Sequence, residues 1–347
     1  MGWGAAKLVD QARGRLADVI GADENELTFT SGATEANNLA ILGLAERAVG
    51  RRKRILVSAI EHKSVLAAAT AAHHRYNCPV EKLAVDAEGR VRLDLLERRL
   101  DDTVLAVSIG LANGEIGTRQ PISEVVKLAD SVGAIVHADA AQALADAEID
   151  VDELGIGLVS LSAHKIYGPQ GIGALYVRSD LKSRVAAQLL GGGQQAGLRA
   201  GTVPVALCRA FADAAELLIG SEAESERERV RMLRDTFTLG LLGLPGVSLN
   251  GPVLGNRHIA NCNVRFSGCE GQDLLARMQP RLAASTGSAC ASGLPEPSHV
   301  LTAIGLSQTE ASSSIRFSFG RMSTSTDVEQ ALSVVSAALS NVRREAA

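Results

Sequence analysis

The chain has 347 residues, 46% of them apolar and only 3% aromatic, so Ala, Leu and Val must fill one large and one smaller core. A net charge of -4 argues against a general nucleic-acid surface, which needs a clustered positive field. The one basic run, Arg51, Arg52, Lys53 and Arg54, follows a predicted helix, where cations complement the helix dipole. Five cysteines in no zinc-binding spacing fit a reduced, intracellular setting and no metal site. No run of about 18 apolar residues and no basic-then-apolar leader occur, so the expectation is a cytoplasmic protein with no membrane and no direct nucleic-acid partner.

The first predicted helix covers residues 5–20, with Leu8, Ala12, Leu16 and Val19 at helical spacing and Gly21 as its stop. A short strand at 27–30 leads into a helix at 34–48. Strand 54–58, helix 64–76, strand 79–84, helix 93–100 and strand 103–109 follow. Pro121 opens a helix to 131, before strand 134–138 and two further apolar runs at 157–161 and 174–177. Short apolar strands alternating with helices predict an α/β fold with a mostly parallel sheet covered on both faces. Gly191, Gly192 and Gly193 open a loop. Beyond it come helices at 203–220 and 221–242, strands near 247, 261–266 and 314–318, and helices at 271–278, 298–304 and 327–343. This predicts a large domain, 1–222, and a smaller C-terminal α+β domain, 223–347.

Ligands of open parallel sheets lie outside the carboxyl ends of the strands, and four successive strand ends here carry polar groups. Ala33 and Thr34 follow the first strand and open a helix, an arrangement suited to a phosphate, although Thr or Ser there is also ordinary capping. His62 could stack on an aromatic cofactor or serve a structural role. Asn113 could bond a ligand or simply shape the turn before Gly114. Asp139 and Gln142 follow the next strand, and Ser162, His164 and Lys165 the one after. A lysine at the mouth of a buried strand is expected to be poorly solvated, partly neutral and able to form a Schiff base. A carboxylate such as Asp139 can pair a pyridinium nitrogen. Cys290 sits among small residues with nothing apolar enough to form a core, which suits an accessible nucleophile; Cys208, Cys262 and Cys269 lie in apolar periodic segments and read as buried.

With these residues in place, the chain resembles cysteine desulfurases of the NifS/IscS type, within fold-type I pyridoxal 5'-phosphate (PLP) transferases. The matching stretches are 30–38, 61–65, 113–117, 137–142, 162–173, 191–202, 288–290 and 314–320, in the family's order. The resemblance implies that Lys165 holds PLP covalently, Asp139 pairs the ring nitrogen, Gln142 bonds the ring hydroxyl and His62 stacks on the ring. It implies that Ala33, Thr34, Ser162 and His164 hold the phosphate. Thr202 reaches the phosphate of a second subunit, hence a homodimer. Asn113 and Arg316 take the substrate carboxylate. Cys290 attacks the sulfur of L-cysteine, carries a persulfide and passes it to a sulfur-acceptor protein, with iron–sulfur assembly, tRNA thiolation, cofactor synthesis and sulfur modification of DNA all open as its destination. Two positions depart from the family: Gly114 stands where a second Asn is usual, and Ala200 where a Ser is usual. The family's opening strand has no counterpart, so a few dozen residues are expected to be absent. The alternatives are a selenocysteine lyase or other PLP β-lyase, and an inactive PLP-fold scaffold for a sulfur-transfer partner.

Overall fold

The computed structural model describes residues 2–287 and 297–346. Packing divides them into two units: residues up to Ala84, Val91–Ala112 and Gln120–Ala223 in the first, and Val85–Arg90, Asn113–Arg119 and the chain from Glu224 on in the second. Two short internal segments thus pack with the C-terminal part of the chain.

The first unit runs α1 (Trp3–Val19), β1 (Leu27–Thr30), α2 (Ala33–Glu46), β2 (Arg54–Ser58), α3 (Lys63–Tyr76), β3 (Val80–Leu83), α4 (Leu93–Arg99), β4 (Val104–Gly110), α5 (Ile122–Asp130), β5 (Ile135–Asp139), α6 (Val151–Leu154), β6 (Leu158–Ser162), β7 (Gly173–Val177) and α7 (Val205–Glu216). Its seven strands lie in the order β1-β7-β6-β5-β4-β2-β3. The pairs β2–β3, β2–β4, β4–β5 and β5–β6 are parallel, whereas β7 runs antiparallel to both β6 and β1. Strands buried on both faces are mostly apolar, and β5, β6 and β7 are buried at every position; the polar residues among them, His137, Asp139, Ser160 and Ser162, have hydrogen-bond partners. The core joins α2 and α3 to this sheet through Leu39, Leu42, Ile55, Val57, Leu105 and Leu175. Helix α2 is apolar almost all round, as a helix packed between layers has to be; Asn37 is its one fully buried polar residue.

The second unit holds α8 (Ser221–Leu242), β8 (Val247–Leu249), β9 (Asn261–Phe266), α9 (Gly271–Met278), β10 (Ser285–Thr286), α10 (His299–Ala303), α11 (Gln308–Ser312), β11 (Ser314–Ser318) and α12 (Ser325–Ala346). Four antiparallel strands are ordered β10-β11-β9-β8. Strand β9 alternates: Cys262, Val264 and Phe266 enter the core with Phe237, Leu274 and Ile315, and Asn261, Asn263 and Arg265 take the other positions. Among the described residues no helix is long and apolar enough to cross a membrane.

Candidate active site

In the first unit the strand register brings the polar strand ends to one edge. Gly110, Asp139 and Ser160 are partners across β4, β5 and β6, while Gly173 of β7 lies opposite both Ser162 and Thr30. Asp139 is buried, with both carboxylate oxygens held: Ala141 N–H donates to Oδ1 at 2.9 Å and Asn37 Nδ2 to Oδ2 at 2.7 Å. A buried carboxylate held by two N–H groups stays fixed in direction and has lone pairs left for a further donor.

Between Thr30 and α2 the chain turns at Gly32, whose φ of 150° belongs to a region essentially restricted to glycine. The turn packs onto Gly173: a Cβ there would stand 2.6 Å from Gly32 Cα. Helix α2 closes its first turn with Ala36 N–H on the Gly32 carbonyl, 3.1 Å, so the amides of Ala33 and Thr34 have no helical acceptor. Glu35 in that turn accepts Ser31 N–H at 2.7 Å and is paired with Arg199 at 2.8 Å; burial pushes its carboxyl up, but the bonds from Arg199 and Ser31 outweigh this and hold it below the usual range. The helix start therefore keeps its positive character. Ser162 is buried and its Oγ lies 3.0 Å from His164 Nδ1.

His62 caps α3: Ser64 N–H donates to its Nδ1 at 3.2 Å and Ser64 Oγ lies 2.7 Å from the same nitrogen. Beside it Glu61 is buried and accepts Gly110 N–H at 2.8 Å. Burial, reinforced by the nearby Asp139 charge and opposed by that N–H, pushes Glu61 up to about 8. His137, two residues before Asp139, is fully buried between Ser108 Oγ at 2.8 Å and Ser160 Oγ at 3.0 Å, and burial pushes it down to about 3. It is a neutral ring in the layer behind the edge.

Lys165 corrects one expectation. The strand before it is buried, but a short 3-10 turn over Ala163–Lys165 carries it out, and the lysine is exposed rather than poorly solvated. Partial desolvation, then the Lys165 charge, lowers the neighbouring His164. His62, Thr34 and Thr202 are likewise exposed, and Gln142 and Ala33 half-buried.

The second unit brings Asn113 and Arg316 to one turn. Asn113 Oδ1 accepts the amides of Glu115 and Ile116 at 2.9 and 3.0 Å, so the turn-shaping role expected of it is present. Arg316, in β11, donates to the Gly114 carbonyl at 3.1 Å. The same turn is held by Asn261 Nδ2 on Glu115 O at 3.0 Å, Asn263 Nδ2 on Glu115 O at 3.0 Å and Arg257 on Ile116 O at 2.7 Å. Burial lowers Arg257 to about 10. The Glu115 carboxylate lies against Gly287, where a Cβ would collide with it. Cys290 lies outside the described residues. Cys78, Cys208, Cys262 and Cys269 are buried thiols.

Sequence inspection passed over Asn37, Ser64, Asn261, Asn263 and Arg257. Asn37 carries no signal of its burial: it stands in α2 beside Asn38 and after Thr34 and Glu35, and only the fold shows that it is the buried one of them. For Asn261 and Asn263 the signal was their shared parity in a strand whose other face is apolar.

A directed buried carboxylate, a glycine-shaped turn into a helix N-terminus and a lysine after the next strand fit a phosphorylated pyridine aldehyde. Fold and site together define a PLP-dependent transferase of fold type I. A profile for class-V aminotransferases matches residues 1–331. Cysteine desulfurase IscS of Tolumonas auensis is 41% identical over 99% of this chain and 84% of its own. The mitochondrial cysteine desulfurase of Eremothecium gossypii is 42% identical over 96% of this chain and 67% of its own. A solved NifS-like protein superposes with a TM-score of 0.90 at 30% identity, covering 98% of this chain and 90% of its own. SspA, solved in complex with cysteine, gives a TM-score of 0.79 at 35% identity, covering 92% and 89%. The chain belongs to the class-V aminotransferase family and, within it, to the cysteine desulfurases.

Proposed function

We propose that the protein takes the sulfur of L-cysteine onto Cys290 as a persulfide and releases L-alanine. When bound, PLP supplies an electron sink for bonds at the substrate's Cα and Cβ. Lys165 Nζ holds the cofactor and then takes the α-proton. Asp139 keeps a proton on the ring nitrogen, Gln142 bonds the ring hydroxyl and His62 stacks on the ring. Ala33, Thr34, Ser162 and His164 serve the phosphate, and Thr202 serves that of a partner copy in a homodimer. Arg316 grips the substrate carboxylate with its planar fork, aided by Asn113. The Cys290 thiolate bonds the substrate sulfur as the carbon–sulfur bond breaks, and the three-carbon remainder, protonated, leaves as alanine. A sulfur-acceptor protein in the cytoplasm then receives the persulfide sulfur. The cofactor belongs to a domain spanning 1–222, and the substrate arginine and the cysteine to one spanning 223–347.

The observation that carries this reading is the buried Asp139 carboxylate, held from two sides beside the start of α2. The solved relative with bound cysteine supports the substrate. The purified protein is expected to show the visible absorbance of a lysine-held PLP and to form alanine from L-cysteine. Lys165→Ala is expected to lose both. A variant that keeps the same band after dialysis would contradict the Lys165 assignment.

A further inference from the structure

Asp139, Asn37, Ser64 and His62 form one unbroken line of hydrogen bonds inside the first unit. Asn37 Nδ2 stands 2.7 Å from Asp139 Oδ2 and 2.9 Å from Ser64 Oγ. Ser64 Oγ stands 2.7 Å from His62 Nδ1, and Ser64 N–H donates to that nitrogen at 3.2 Å. Asn37 is fully buried, and Ser64 and Asp139 nearly so.

Donor and acceptor chemistry sets every proton along this line. A carboxylate only accepts, so Asn37 must offer its NH2 group to Asp139, and the second hydrogen of that group goes to Ser64 Oγ. The reversed amide would press its oxygen against the carboxylate. The orientation adopted leaves Asn37 Oδ1 buried with no partner. Such an orphan is unfavourable, and the fold accepts it while keeping both donors in use. The Ser64 backbone N–H donates to His62 Nδ1, which makes that nitrogen an acceptor. The Ser64 hydroxyl, its oxygen already accepting from Asn37, then has its own hydrogen to give to the same nitrogen, and the ring proton resides on Nε2.

We propose that Asn37 is a positioning residue of the reaction: one amide aims the Asp139 carboxylate and, through Ser64, holds His62 as its Nε2-protonated tautomer. This rests on the proposed use of Asp139 and His62 at the cofactor ring. The same side chain thereby fixes the group under the ring nitrogen and the group stacked on the ring face. His62 is left with a proton to offer at Nε2.

The test is 15N NMR of the holoenzyme labelled with 15N-histidine, with alanine formation followed in parallel. In the wild type His62 is expected to show a bare Nδ1 and a protonated Nε2. Asn37→Asp keeps the shape. A proton shared with Asp139 serves that arm, and the other oxygen can only accept from Ser64, turning its hydroxyl away from His62. The His62 signals are expected to move toward the Nδ1-protonated form. The kcat should fall about tenfold to a hundredfold, the range of one hydrogen bond to a charged group, while KM for L-cysteine stays within about threefold of wild type. Ser64→Ala removes only the hydroxyl and is expected to shift the signals less, in the same direction. A wild-type His62 protonated on Nδ1 would overturn the proposal, as would wild-type signals and kcat in both variants. A wild type that forms no alanine would instead overturn the proposed reaction and leave the tautomer result standing.

Discussion

Glu61 is a buried carboxyl group, against Gly110 N–H and beside Asp139. Its folded value of about 8 lies well above the unfolded one, so the folded state binds the extra proton. Stability from this group is full below about pH 4 and is lost as pH rises toward 8. The thermal midpoint of the wild type is therefore expected to fall between about pH 6 and pH 8.5 more than that of Glu61→Gln, whose amide oxygen can still accept Gly110 N–H. Parallel midpoints in the two proteins would contradict the buried proton. Asp139 was legible from sequence because an apolar strand ends on it. Asn37 was not, because it is one of several polar residues near the start of α2, with Thr34, Glu35 and Asn38, and reads as a surface position until β5 and α3 are known to flank it. Lys165 was found by its motif, but its solvation was misread: the strand is buried and the turn beyond it is not.

At the scale of elements, the contact between β7 and the turn into α2 decides the geometry of the proposed phosphate cradle. Gly173 pairs with strands on both sides, and Gly32 lies so close that a methyl group has no room. Gly173→Ala is expected to destabilise the protein by about 1–3 kcal/mol, as overpacking a tight contact does. It should also weaken PLP retention more than Gly171→Ala does, although Gly171 has an open surround and a φ of +84° that strains any side chain there. Denaturant midpoints and PLP content after dialysis measure both effects; wild-type values for Gly173→Ala would show that the close approach is not needed. Strand and helix existence was legible from period and punctuation along most of the chain. Helix ends were less so: α1 starts at Trp3 with no side-chain cap at Gly2 to announce it. Strand β10, with only two residues, carries no periodic signal.

Packing places Asn113, with the rest of 113–119, in the unit that also holds Arg316. The assignment of 113–119 to the second unit was hidden in the sequence, because that segment follows a strand of the first. What ties it there is side-chain chemistry of distant residues, Asn261, Asn263 and Arg257, on its backbone carbonyls. The central claim is that a protein thiol, rather than elimination at the cofactor alone, removes the sulfur. It is tested most directly by comparing PLP-loaded wild type with Cys290→Ser for alanine release and protein-bound persulfide from L-cysteine. A hydroxyl is a far poorer nucleophile toward sulfur than a thiolate. The account predicts that PLP stays bound in the variant while persulfide disappears and alanine formation falls at least about a hundredfold; alanine released at the wild-type rate by Cys290→Ser would contradict it.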